Sequence, residues 1–161
     1  MSSAKSLLTK SSVIAAFCAK LEQDLERTMI AARATEAAAT DPESRAEGKY
    51  DTRGLEASYL AAGQSEQVEG LAKSLRLMRI SDYFPVFSSG DQIKSGALVE
   101  VDLTGERLFF LLAPSAGGLE VELDGIEVTV LAPGAPLRAK LEGCSVGDSI
   151  NQPNMRIVSV S

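Results

Sequence analysis

The sequence predicts an α+β protein in which two long helices precede a small β-rich domain. Up to about residue 79 the apolar residues recur every three or four positions, which is the spacing of one face of a helix. From Ala97 onward they recur at every second position, which is the spacing of one face of a strand. A charged segment, residues 41–54, separates the two helical patterns. We therefore expect an antiparallel coiled-coil hairpin with this segment at its tip.

The first helix is predicted to follow an N-terminal tail, residues 1–11, and to end near Thr40. Ser11 or Ser12 is a suitable N-cap residue. The apolar stripe consists of Ile14, Phe17, Leu21, Leu25 and Thr28. Asp41-Pro42 ends the pattern, because the residue before a proline avoids the helical region.

The second helix is predicted from about Leu55 to about Arg79. Gly63 interrupts its middle, where we expect either a break or a close contact. The two helices together define a finger, residues 12–80, that would project about 40 Å at a rise of about 1.5 Å per residue.

An apolar hinge, residues 81–96, is predicted to connect the finger to the second domain, residues 97–161. Four strands are predicted first, at Leu98–Leu103, Arg107–Leu112, Leu119–Leu123 and Ile126–Leu131. Asp124-Gly125 between two of these strands is a strong hairpin signal. One or two helical turns at Leu137–Leu141 and a last strand at Met155–Val160 complete the domain.

Composition excludes several classes of function. The chain has 161 residues and no histidine, which removes Ser-His and Cys-His catalysis and histidine zinc sites. Its net charge of −6 argues against independent nucleic-acid binding. The distant Cys18 and Cys144 do not predict a disulfide framework.

A cytoplasmic protein with no membrane contact is the expectation for localisation. No apolar run approaches the roughly 18 residues of a membrane span. A signal peptide is an alternative for Val13–Ala19, but that run continues into Leu21 and Leu25 at helical spacing.

The tip segment carries the residues best suited to binding a metal or taking part in catalysis. Its acids are Asp41, Glu43, Glu47 and Asp51. A solvated loop with ion pairs is one interpretation. The other is a magnesium site, because Mg²⁺ takes oxygen ligands and is commonly held by one or two carboxylates plus substrate phosphates. Such a tip would complete a site that already contains phosphate and another metal.

The chain resembles the Gre family of bacterial transcript-cleavage factors, GreA and GreB. The resemblance rests on the helical hairpin with the acidic stretch Asp41–Tyr50 and on the segment from Pro136-Leu137 through Leu141, Gly143 and Gly147-Asp148 to Ile150. The family carries a similar Pro-Leu-Gly-x-x-Leu-x-Gly-x-x-x-Gly-Asp stretch. The resemblance covers residues 12–161 and implies that the C-terminal domain is FKBP-like.

The resemblance implies an RNA polymerase-binding elongation factor. The finger would enter the secondary channel and stimulate Mg-dependent cleavage of backtracked RNA, acting on the transcript 3′ end indirectly. Asp41, Glu43 and Glu47 would be the catalytic carboxylates, and Asp41 and Glu47 would share Mg²⁺ with the polymerase. Arg45, Lys49, Tyr50 and Arg53 would contact the partner. The protein would be a monomer that binds no cofactor alone and is not an enzyme by itself.

The tip departs from the family pattern Asp-x-x-Glu-Asn-x-Glu-Tyr. Gly48 stands in the place of the Asn, and Lys49 replaces the acid before Tyr50. Arg138 replaces the Gly after Pro-Leu. A non-cleaving modulator that occupies the same channel is therefore an alternative.

Two other functions stay open from sequence. The first is a coiled-coil interaction scaffold that dimerises or binds another partner. The second is a peptidyl-prolyl isomerase, which needs an aromatic-lined pocket. Phe109 and Phe110 are the only aromatic residues after residue 91, and as neighbours on a strand they should point to opposite faces.

Overall fold

The structure, a computed structural model, describes residues 8–40 and 53–161, with the side chains of residues 39–40 and 53–61 outside that description. A helical part precedes a mixed six-stranded sheet, which confirms the predicted α+β class. The finer descriptions, a coiled coil and an FKBP-like domain, stay predictions.

The chain divides into two compact units, and the division falls within both long helices. One unit comprises Met1–Lys20 and Arg76–Ser161, which we call the sheet unit. The other comprises Leu21–Leu75, which we call the helical unit. The domain boundaries predicted from sequence stay predictions.

The two long helices are α1, Lys10–Thr40, and α2, Arg53–Met78. The N-cap of α1 is Thr9 rather than Ser11 or Ser12. The Ser12 backbone N–H donates to Thr9 Oγ1 at 3.0 Å, and the Thr9 N–H donates to Ser12 Oγ at 3.1 Å, a reciprocal capping arrangement. Helix α2 continues through Gly63, and a Cβ built there meets nothing within 4 Å. Neither of the roles expected for Gly63 is present.

After a 3-10 turn, Ser81–Tyr83, the chain forms the sheet. Its strands are β1 Leu98–Leu103, β2 Glu106–Leu112, β3 Glu120–Leu123, β4 Ile126–Leu131, β5 Ser149–Ile150 and β6 Met155–Val160, with helix α3 at Pro136–Leu141 between β4 and β5. The strand order is β3-β4-β2-β1-β6-β5. Only β2 and β4 pair in parallel; the other neighbours are antiparallel. Asp124 and Gly125 both have positive φ in the β3–β4 hairpin, as their sequence predicts.

Both faces of the sheet are covered. The first face packs against α3 in a core that contains Val99, Phe110 and Leu141. The second face follows from register, since cross-strand partners share a face: Leu98 pairs with Leu111, and Glu100 with Phe109. Leu98 and Leu111 are buried too. The alternation that predicted these strands therefore separates two buried faces.

The first turns of α1 lie at this second face. Lys20 Nζ donates to the Glu120 carbonyl oxygen at 2.6 Å, and Leu8 lines a cavity with Leu98 and Phe109. Val13 and Phe17, four residues apart on α1, are completely buried. Among the described helices, none combines the length and the apolar character that crossing a membrane requires.

Candidate functional site

The residues that the sequence singled out at the tip lie outside the described part of the chain. This applies to Asp41, Glu43, Arg45, Glu47, Lys49 and Tyr50. Arg53 is the first residue of α2, and its side chain is also outside the description. The structure does show that α1 ends at Thr40 and α2 begins at Arg53. The acidic segment therefore connects the ends of two long helices.

Within residues 8–40 and 53–161, no group of three or more Cys, Asp or Glu side chains is arranged to hold a metal ion. Cys18 and Cys144 are not joined in a disulfide, as expected from sequence. Burial, together with the charge of Asp148, raises the pKa of the Cys144 thiol. This cysteine is thus less reactive than an ordinary one at neutral pH.

Lys10 connects the start of α1 to three other segments of the sheet unit. Its ammonium donates hydrogen bonds to the carbonyl oxygens of Gly96 at 3.1 Å and Ser161 at 3.0 Å, and to that of Pro85. It also lies 4.8 Å from the centre of the Phe87 ring, within cation–π distance. Desolvation lowers the pKa of Lys10. The sequence had placed this residue in a tail.

Arg138 is the most highly connected charged residue that the structure describes. It lies on α3 and is only 4% exposed. Its guanidinium donates five hydrogen bonds, to the backbone carbonyls of Ala113 (2.7 Å) and Leu131 (2.9 Å), the hydroxyls of Tyr83 and Ser95 (both 2.8 Å), and a carboxylate oxygen of Glu142 (2.8 Å). All five N–H donors of an arginine are thereby used.

The pKa of Arg138 shows that its burial is compensated. Burial by itself lowers the pKa, but the hydrogen bonds with Glu142 and Tyr83 outweigh this effect and raise the pKa above its ordinary value. The residue stays charged and joins α3 to the ends of β2 and β4 and to the turn after α2. Arg138, which stands where the Gre pattern has a glycine, therefore has a structural role in this chain.

Glu100 is the second buried charge, on the face of the sheet covered by α1. Its carboxylate accepts hydrogen bonds from Arg107 Nη1 at 3.2 Å and from the Ser159 hydroxyl at 3.1 Å. It borders a cavity of about 150 Å³ that Phe109 also lines, whereas Phe110 belongs to the core on the other face. The two aromatic residues therefore do not line one pocket, which agrees with the argument against an isomerase site.

An acidic surface lies at the β3 edge of the sheet. Glu122 pairs with Glu127 across the β3–β4 hairpin, and Glu120 lies on the same strand as Glu122. A hydrogen bond with the Glu120 side chain, together with its charge, raises the pKa of Glu127. Like charges on an edge strand discourage pairing with another chain, so this edge opposes contact with an acidic partner.

These features define an α+β protein with a helical unit that carries an acidic connection and a sheet unit fastened by two buried or half-buried cations. No family model and no curated protein matches the sequence. Several solved structures are similar along most of the chain, among them the following three. GreA factor homolog 1 (Gfh1) of Thermus thermophilus is 25% identical, with 89% of this chain and 94% of that chain covered and a TM-score of 0.34.

The Gfh1 of Thermus aquaticus is 19% identical, with 88% of this chain and 91% of that chain covered and a TM-score of 0.34. A structure described as the transcription factor Gfh1 is 24% identical, with 90% and 93% covered and a TM-score of 0.36. TM-scores this low do not assign the chain to a family.

Proposed function

We propose that this chain is a bacterial RNA polymerase-binding transcription elongation factor of Gre type. The observation that carries the proposal is the placement of the acidic segment 41–52 between the ends of two long helices, α1 and α2, in a chain that continues into a separate sheet. In this proposal the helices insert into the secondary channel and present the segment to the polymerase active centre.

The chemistry of the segment supports a role within another protein's site. Asp41 and Glu47 supply oxygen ligands, which Mg²⁺ prefers. Two carboxylates on a connecting segment are too few for a closed cage, but they are sufficient to complete a two-metal site that also contains phosphate. RNA cleavage would then be the activity of the polymerase, with the carboxylates donated by this chain.

The alternative within this proposal is a modulator that occupies the channel without stimulating cleavage. Lys49 favours it, because a positive charge next to the proposed ligands opposes binding of a divalent cation. Binding to polymerase and stimulation of cleavage are therefore separate predictions and need separate experiments.

The test of binding is titration of the purified chain into core RNA polymerase and competition with a cleavage factor. We expect binding at micromolar or lower concentration and mutual displacement. If the chain does not bind at micromolar concentration, the proposal is wrong.

The test of cleavage uses a backtracked elongation complex with Mg²⁺. If the tip is catalytic, Asp41→Ala and Glu47→Ala should abolish stimulation while binding is retained. Glu66→Ala is the matched control, because Glu66 is an exposed acid in the middle of α2. Stimulation by none of the proteins, wild type included, with binding intact, identifies the non-cleaving modulator.

A coiled-coil scaffold is a second candidate function, and one observation favours it. Ile30 of α1 is 59% exposed in the middle of the helical unit. An apolar side chain in this position suits contact with another protein.

A further inference from the structure

Helix α1 carries a groove that is lined, among the described residues, by one face of this helix alone. The groove has a volume of about 400 Å³ and is lined by Glu22, Leu25, Glu26, Met29, Ile30 and Arg33. These six residues recur at spacings of three and four, so they form one face of the helix. All of them belong to the helical unit.

The centre of this face is apolar. Ile30 is 59% exposed, and its neighbours Met29 and Leu25 are half-buried. By contrast, Leu21 on α1 is 2% exposed and Leu75 on α2 is 7% exposed, so other apolar positions of these helices are covered. Burying a residue such as Ile30 against a partner removes apolar surface from water and favours association.

Two charges of opposite sign on this face lie at equal distances from its apolar centre. Glu26 precedes Met29 by three residues, and Arg33 follows Ile30 by three residues. A two-fold axis between Met29 and Ile30 therefore exchanges an acidic position for a basic one. This is the requirement for an isologous contact, in which the same surface meets itself.

We propose that a second copy of this chain occupies the groove, with the two α1 helices antiparallel about that axis. Ile30 then contacts the partner's Met29, and Glu26 faces the partner's Arg33. The proposal goes beyond the proposed function, does not depend on it, and replaces the expectation of a monomer.

The positions further along the face also suit a second copy. The same axis places Glu22 opposite the partner's Ala37 and Gln23 opposite the partner's Glu36. No two like charges oppose each other at these positions, although the chain carries a net charge of −6. The complementary charges are the reason to prefer a second copy to an unrelated partner helix.

The contact is small, so the dimer should be weak. A single helix face of this length is below the roughly 1,200 Å² of a standard interface. We expect a dissociation constant on the order of tens of micromolar, and we expect it to rise with salt concentration because the flanking pairs are exposed.

Sedimentation equilibrium over a wide concentration range tests the proposal. Ile30→Glu should abolish the dimer. Glu26→Arg and Arg33→Glu should each weaken it by on the order of tenfold, because each change places like charges opposite each other at two positions. The double variant Glu26→Arg/Arg33→Glu should dimerise like the wild type.

A mixture of the two single variants is the most specific experiment. In a heterodimer of Glu26→Arg with Arg33→Glu, both contacts again join opposite charges. The mixture should therefore associate more tightly than either variant alone. Arg27→Glu is the control, since Arg27 is exposed on the same helix but does not line the groove.

The outcomes separate clearly. A wild type that remains monomeric at several hundred micromolar overturns the proposal, and so does a dimer that Ile30→Glu leaves intact. A dimer that Ile30→Glu removes, but whose charge-reversal mixture associates no better than the single variants, overturns the antiparallel arrangement. Circular dichroism of each variant confirms that α1 is still folded.

Discussion

The buried guanidinium of Arg138 should contribute more to the stability of the sheet unit than any other single polar side chain that the structure describes. The change to test is Arg138→Met, which retains much of the side-chain volume and removes every donor. It leaves the carbonyl oxygens of Ala113 and Leu131 and the hydroxyls of Tyr83 and Ser95 without this partner.

The magnitude follows from the number and burial of these bonds. An unsatisfied buried polar group costs about 1–3 kcal/mol. The two hydroxyls can rotate toward other partners, and the Leu131 carbonyl keeps a hydrogen bond from the Ala113 N–H at 3.3 Å. The Ala113 carbonyl cannot turn toward another donor, so it carries the largest part of the cost. The pair with Glu142 contributes little, because that carboxylate is 43% exposed. We therefore expect Arg138→Met to lower the free energy of unfolding of the sheet unit by about 2–4 kcal/mol.

The assay has to report on the sheet, because a chain with two compact units need not unfold in one step. Native-state hydrogen exchange of the β1 and β2 amides meets this requirement. Tyr83→Phe, which removes one of the five acceptors, is the graded control, with an expected loss of about 1 kcal/mol. A loss below about 1 kcal/mol for Arg138→Met would refute the reasoning, because five short bonds to a buried cation would then contribute almost nothing.

Three further predictions concern a glycine, an acid and the tip. Gly96→Ala should prevent stable folding of the sheet unit, because its Cβ would lie 1.9 Å from the Tyr83 carbonyl oxygen; Gly125→Ala, also at positive φ but with nothing within 4 Å, should cost only about 1 kcal/mol by urea denaturation. The pKa of Glu127 is raised in the folded protein. Between the ordinary and the raised pKa the folded protein therefore binds more protons than the unfolded one, so its stability falls as pH rises through that window. Glu127→Gln should remove this fall, as unfolding measured at about pH 4 and about pH 7 will show. If the tip holds Mg²⁺, Lys49→Glu should lower the Mg²⁺ concentration needed for cleavage by about tenfold, whereas an unchanged requirement would place Lys49 away from the metal.

Much of the sheet could be predicted from the sequence, because its strands are regular and their turns carry glycine. The first and last strands, Leu98–Leu103 and Met155–Val160, lie where the alternation placed them. The strand Ser149–Ile150 was not predicted, because two residues are too few to show an alternating pattern. The N-cap is Thr9 rather than a serine because Thr9 and Ser12 form reciprocal hydrogen bonds. Several hydroxyl residues lie close together here, and the sequence alone does not show which of them is the cap.

The buried charges could not be predicted. Glu100 alternates with Val99 and Val101, a pattern that normally indicates a solvent-facing acid. It is buried because α1, far away in sequence, covers the second face of the sheet. Arg138 likewise has its five hydrogen-bond partners on separate segments, and no pattern in the sequence around it predicts such an arrangement. The tip residues were selected by their chemistry and by family resemblance, and their geometry remains a prediction.

Dimerisation and polymerase binding should compete, because each uses the outer surface of α1. A channel that admits the helical unit alone has no room for a second copy on the face around Ile30. Addition of core polymerase should therefore dissociate the dimer, and the Ile30→Glu monomer should bind polymerase at least as tightly as the wild type when the chain is present at high concentration. Fluorescence anisotropy of labelled chain at several total concentrations measures both equilibria. If two chains bind one polymerase at the same time and Ile30 stays buried in the dimer, α1 does not enter the channel. If Ile30→Glu instead loses polymerase binding, the polymerase itself contacts this face.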